Sequence, residues 1–178
     1  VWGIRAGRYP HLVFKTFSGG SGRPDDPFLI ASAEDLIELG QSPRYYNDCF
    51  AQTNDIDLSE YVFTDSVIAP GQLRGDNFYI ADTTFFGTFD GRGYRIENLT
   101  IHNPLADSNS IGLFGGMLGA IVRNVSLENV TINVPGNVVG YKSIGGLLGH
   151  GSGLIQRCRV TGTVNAGGAR AGGIVGYS

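Results

Sequence analysis

Two short apolar phrases alternate along the second half of the chain. One reads Ile96-Glu-Asn-Leu-Thr-Ile101, then Val122-Arg-Asn-Val-Ser-Leu127, then Ile155-Gln-Arg-Cys-Arg-Val160. The other reads Ile111-Gly-Leu-Phe-Gly115, Ile144-Gly-Gly-Leu-Leu-Gly149 and Ala171-Gly-Gly-Ile-Val-Gly176. In the first phrase the apolar positions are Ile96, Leu99 and Ile101, so the two-residue alternation of a strand slips once, at Asn98. A change of phase at one residue turns the strand through a corner, and Asn tolerates the left-handed backbone a sharp corner needs. Asn124 repeats the position, which makes Asn98 and Asn124 the expected structural corners; Arg157 breaks the pattern. Thr, Val and Ile dominate these segments and no helical apolar period runs through them. Two phrases in fixed order, recurring at roughly 25 to 35 residues, mark a solenoid whose turns bury a shared core by stacking. The pattern predicts an all-β chain with its strands stacked in parallel as a β-helix.

Glycine in a strand interior is unfavourable by roughly 0.5–1 kcal/mol relative to Ala, so the pairs Gly115-Gly116, Gly145-Gly146 and Gly172-Gly173 need a reason. They sit beside inward Leu, Phe or Ile, where a missing side chain lets neighbouring coils approach and the backbone turn tightly. No Gly-rich loop is followed by Lys-Ser/Thr, so a phosphate cradle is not indicated.

Upstream of the repeats, Phe28-Leu-Ile30 reads as a short buried strand followed by a helix near 32–40. Ser32 is a good N-cap with Asp35 as capping-box partner, Ala33, Leu36 and Ile37 share a face, and Gly40 is placed to end the helix. Ser42-Pro43 opens a further turn through Tyr46. A short amphipathic helix here is expected to cover the first coil and shield its edge. Phe50 to Leu58 reads as strand with Ile56 and Leu58 inward, which sends Asp55 and Asp57 out on one face, about 6–7 Å apart by strand rise. That pair suits a Ca²⁺ site or a glycosidase carboxylate pair. A solvated or turn-capping pair is the favoured reading, because no second acidic cluster accompanies it.

Gly146-Leu-Leu-Gly149 and Gly173-Ile-Val-Gly176 resemble the GLUG-motif family, the Gly-rich repeat regions of large bacterial secreted and surface proteins. Further matching segments are Gly19-Gly-Ser-Gly22 with Asp26-Pro-Phe-Leu-Ile30, Ser32-Ala-Glu-Asp-Leu36, Asp55-Ile-Asp-Leu58 and Gly87-Thr-Phe-Asp-Gly91. The resemblance implies an extracellular, right-handed parallel β-helix, usually one module of a longer polypeptide, and no catalytic residues. Residues 1–17 carry the only Trp and no repeat phrase; they resemble the closing piece of a preceding module, or else pack along the side of this one. Residues 18–60 form the linker and capping region, and 61–178 the repeats, which are expected to continue beyond 178.

Composition narrows the function classes. With 178 residues, 42% of them hydrophobic, the chain can bury a core of one domain. A net charge of −3 gives no general attraction to nucleic acid or an anionic membrane. The longest uncharged apolar run, Ile111 to Val122, falls short of the roughly 20 residues of a spanning helix, so no membrane insertion is expected. Of two cysteines, Cys158 repeats the place of Leu99 and Val125, which favours a buried free thiol over a disulfide with Cys49.

Residues 70–84 are the least regular stretch, and insertions of this kind project from a solenoid where binding specificity lies. Arg74, Asp76, Phe78 and Tyr79 are therefore the candidate binding residues; Arg74-Gly75-Asp76 spells the integrin tripeptide, a match that arises easily by chance. Asn98, Asn124 and Asn129 open Asn-x-Ser/Thr sequons, usable only if their side chains point outward. His11, His102 and His150 pair with no other ligand by spacing, and no nucleophile elbow occurs. Three readings follow. A structural or display module of an extracellular adhesin, fibre or surface layer, working by self-association or in tandem, is favoured. A carbohydrate-binding module acting on glycans and a β-helix carbohydrate-active enzyme are the alternatives, the last by fold analogy alone.

Overall fold

The computed structural model describes residues 17–70, 84–103, 110–134 and 142–178, and the backbone of Trp2–Gly3 and His11–Leu12. Strands β1 (Trp2–Gly3) and β2 (His11–Leu12) form an antiparallel ribbon. After β3 (Phe28–Ile30) come helix α1 (Ala33–Gln41), a 3-10 turn over Pro43–Tyr45, β4 (Cys49–Gln52) and β5 (Ile56–Asp57). β6 (Thr88–Asp90), β7 (Arg95–Glu97) and β8 (Thr100–His102) follow, then β9 (Ser110–Ile111), β10 (Phe114–Arg123) and β11 (Ser126–Asn133). The chain closes with β12 (Ser143–Gly145), β13 (Leu148–Gln156), β14 (Arg159–Asn165), β15 (Arg170–Gly172) and β16 (Val175–Tyr177).

These strands lie in three parallel sheets that the chain visits in rotation. One has the order β3-β4-β6-β10-β13-β16, a second β5-β7-β11-β14 with β8 also on β11, and a third β9-β12-β15. The phrases noted in the sequence set the register: Ile96 lies beside Leu127 and Leu127 beside Val160, while Ile111 lies beside Ile144 and Ile144 beside Ala171. All-β architecture with parallel sheets is thus what the repeat period builds. Among the described residues no helix is long and apolar enough to cross a membrane.

In-register stacking puts like residues over like. Phe28, Phe50, Phe89, Val122 and Ile155 are successive partners across the first sheet, and Phe85 and Phe114 pack their rings 5.2 Å apart beside them. Phe50, Phe85, Phe89 and Phe114 are fully buried. Two glycines show why the other phrase needs its small residues. A Cβ on Gly145 would lie 2.3 Å from the Leu148 carbonyl oxygen, and one on Gly149 would lie 2.5 Å from the Ile111 nitrogen of the preceding coil. Backbone meets backbone there, with no room for a methyl group.

Ser32 Oγ accepts from the Asp35 N–H, as an N-cap should, but the Asp35 carboxylate reaches past the cap to accept from Ala31 N–H and Ser18 Oγ. Leu36 and Leu39 are buried beneath the helix. Gly40 does not end it: the helix runs on to Gln41, and a Cβ at Gly40 would meet the Val67 carbonyl oxygen at 1.8 Å, so this glycine serves close packing. Nor is Phe50 to Leu58 one strand; β4 and β5 are separate, and the Gln52 amide bridges the break by donating to the carbonyls of Asn54 and Arg95. Cys49 and Cys158 are both free and only half-buried.

Candidate functional site

The outer corners carry ladders of polar side chains. Asn98 Nδ2 donates to Asp57 Oδ1 at 2.8 Å, and Asn129 Nδ2 donates to Asn98 Oδ1 at 2.7 Å. Along a second corner Asn124 Nδ2 donates to Asp90 Oδ1 at 2.8 Å, and Arg157 Nε donates to Asn124 Oδ1 at 2.8 Å. A third ladder joins His102, Asn133 and Asn165. The first two begin on a carboxylate, which only accepts, and climb through an amide, which donates below and accepts above. The backbone is left-handed at Asn98 (φ 61°) and Asn124 (φ 55°), and also at Asn129 (φ 57°) and Arg157 (φ 51°). Arg157 takes the corner conformation despite its side chain, and its guanidinium serves as the donor on the Asn124 rung.

Asp55 and Asp57 are both exposed, and each is engaged separately. Asp55 accepts from the Arg95 N–H and pairs with its guanidinium at 2.7 Å. Asp57 accepts from Asn98, the Ser59 N–H and Ser59 Oγ. Hydrogen bonding from Arg95 holds the Asp55 carboxyl below the usual carboxylate range, and hydrogen bonding from Asn98 and Ser59 does the same for Asp57. Burial pushes Asp90 up, but Asn124, the Arg92 N–H and Arg123 together outweigh it and hold this carboxyl low as well. Among the described residues no group of three or more His, Cys, Asp or Glu could hold a metal ion. Arg74, Asp76, Phe78 and Tyr79 lie outside the described residues. The amides of all three sequon asparagines are committed as ladder donors.

Among the described residues, the edge strands β14, β15 and β16 leave apolar side chains partly open. One coil earlier, the inward residues Val122, Leu127, Ile132, Ile144 and Leu148 are fully buried. Their register partners Ile155, Val160, Val164 and Val175 are only half-buried, and Ala171 is exposed. Leu154, Ile174 and Tyr177 are 51%, 37% and 44% exposed. A groove of about 360 Å³ runs along this face between Val130, Val160, Val164 and Ala171, floored by Gly162 and Gly172. On the first sheet Tyr177 stacks on His150, ring centroids 5.2 Å apart and planes nearly parallel, with the Arg170 guanidinium 4.5 Å from the tyrosine ring centroid. Burial, with a smaller push from Arg170, depresses the pKa of His150, so its ring is neutral at pH 7. Sequence periodicity identifies the inward positions of this coil but says nothing of what covers them.

At the N-terminal end of the sheets two segments pack against the first strands. Backbone groups of Ser18 and Gly19 pair with Leu29 and occupy the free edge of β3. Helix α1 meets Tyr61 through Glu34 and Val67 through Gly40, and the Tyr46 hydroxyl donates to the Gly40 carbonyl while accepting from the Ala69 N–H.

No protein-family profile matches the chain, and no solved structure is significantly similar to it. Two curated proteins are. Halomucin of Haloquadratum walsbyi is 32% identical over 158 residues, covering 88% of this chain. A Gly-rich membrane protein of Evansella cellulosilytica is 35% identical over 151 residues, covering 81%. The chain spans 2% of the length of the first and 15% of the second.

Proposed function

We propose that this chain is a GLUG-type module of a surface or membrane-associated structural protein, and that it works by end-to-end stacking of a right-handed parallel β-helix. Residues 61–178 form the coils, residues 18–60 with α1 cap the first of them, and the setting is extracellular. The observation that carries this reading is the in-register parallel stacking of the recurring phrases, Ile96 on Leu127 on Val160 and Ile111 on Ile144 on Ala171. Strands stacked in this way support one another, and repeat proteins gain stability from each added neighbour. The corner ladders support the reading, because polar groups that bond up and down the stack fix register and contribute no chemistry. Both relatives are far longer than this chain, as a protein built from many such modules would be, and their names fit a cell-envelope setting.

Electron microscopy of concentrated protein, paired with sedimentation equilibrium, tests the reading. Rod-like particles in multiples of 19.0 kDa are expected. Compact monomers at every concentration would overturn it.

A further inference from the structure

A cleft of about 340 Å³ lies on the outer flank of the first sheet, at the lower end of the roughly 300–1,000 Å³ of small-molecule sites. Its floor is the column Cys49, Thr88 and Ile121, which β4, β6 and β10 hold side by side. One wall is the turn from Arg23 to Asp26, closed by the Asp26 N–H donating to the Arg23 carbonyl, with Pro24 and Asp25 at its centre and Pro27 beyond. The prolines fix their φ angles, and the Gly22 carbonyl accepts from the Cys49 N–H, so this wall is pinned to the sheet. A second wall is the turn after β6. There Arg92 has a left-handed backbone (φ 53°), which glycine adopts freely and arginine does not. Asp90 holds it by accepting from the Arg92 N–H at 2.9 Å, and accepts from Arg123 Nε at 2.8 Å.

The polar groups of this cleft are fixed in place but not used up. Among the described residues the Asp25 carboxylate, the Arg92 guanidinium and the two terminal nitrogens of Arg123 have no hydrogen-bond partner, and all three residues are exposed. Asp25 only accepts and the guanidinium groups only donate. Asp90 already offsets Arg123, and Asp25 offsets Arg92, so the cleft carries no net charge to select an ion. Its ligand has to donate to one wall, accept from the other and lay apolar surface on Ile121. Neighbouring hydroxyl groups on a ring of C–H bonds meet all three demands, because each hydroxyl both donates and accepts. We propose that this cleft binds a neutral saccharide, whose hydroxyls donate to Asp25 and accept from Arg92 and Arg123 while a C–H face lies on Ile121. The proposal does not rest on coil stacking: it gives the flank of the module a ligand, whatever its ends do.

Amide chemical shifts of the 178-residue protein, followed during titration with cellohexaose, maltohexaose, mannohexaose and galactohexaose, test the proposal, with sodium sulfate and trigalacturonate as anionic probes. At least one neutral oligosaccharide should move amides in the turn at Asp25 and beside Thr88, Arg92 and Ile121. Asp25→Ala and Arg92→Gly should each weaken that binding by about tenfold, the loss of a hydrogen bond to a charged group. Both positions are exposed turn residues, and glycine relieves the left-handed backbone at Arg92, so both variants should fold; circular dichroism checks this. Thr131→Ala, outside the cleft on the second sheet, should leave binding unchanged. Cys49 supplies a second readout that needs no variant: the bound saccharide should slow its alkylation by iodoacetamide, read by peptide mass spectrometry, and leave that of Cys158 as it was. Shifts with none of the four neutral oligosaccharides, or with the anionic probes alone, would overturn the proposal, as would binding that is equally strong in Asp25→Ala and Arg92→Gly.

Discussion

Replacing Asn124 by Ala tests whether the corner ladders hold the coils in register. Asn124 sits at φ 55° and makes two 2.8 Å bonds, donating to Asp90 and accepting from Arg157. A left-handed L-residue other than Gly or Asn costs about 1–2 kcal/mol. Two charge-assisted bonds at a half-buried site contribute about 1 kcal/mol each. Asn124→Ala should therefore lose about 3 kcal/mol, which for a chain of this size lowers the melting temperature by about 6–12 °C. Asn124→Gly separates the two causes. Glycine adopts the left-handed backbone freely, though its looser unfolded chain takes back part of that gain, so its loss should be about 1 kcal/mol smaller. Urea unfolding followed by far-ultraviolet circular dichroism reads both. A loss under about 1 kcal/mol for Ala, or a glycine variant less stable than the alanine one, would refute the account of the corner.

Further predictions follow from the core and from one titrating group. Gly145→Ala places a methyl group 2.3 Å from the Leu148 carbonyl oxygen and 2.6 Å from the Gly176 nitrogen; it should abolish the cooperative thermal transition, while Gly173→Ala, with nothing within 4 Å, should leave it in place. Phe89→Ala removes a fully buried ring from the aromatic stack and should cost about 3–5 kcal/mol by urea unfolding. His150 is buried neutral against Tyr177 and Arg170, its pKa below that of an unfolded histidine. The unfolded chain then binds the extra proton first, so the contribution is complete above about pH 6.5 and is lost as pH falls below it. Melting temperature measured from pH 8 to pH 5 should fall less steeply in His150→Leu than in the unaltered protein; equal slopes would show that another group carries the acid sensitivity.

The all-β, parallel character was legible because the period was: phrases such as Ile96 to Ile101 and Val122 to Leu127 recur with their inward residues in step, and in-register stacking is the arrangement that buries all of them together. Gly40 was misread for a physical reason. A glycine near a helix end matches a C-cap locally, yet its cause is the Val67 carbonyl oxygen, 27 residues away in sequence and pressed against the helix. Nothing local to Asp90 reveals that Asn124 and Arg157 queue above it. Arg157 shows the converse: its place in the phrase demanded a left-handed corner, and the fold imposes that conformation on a residue that disfavours it.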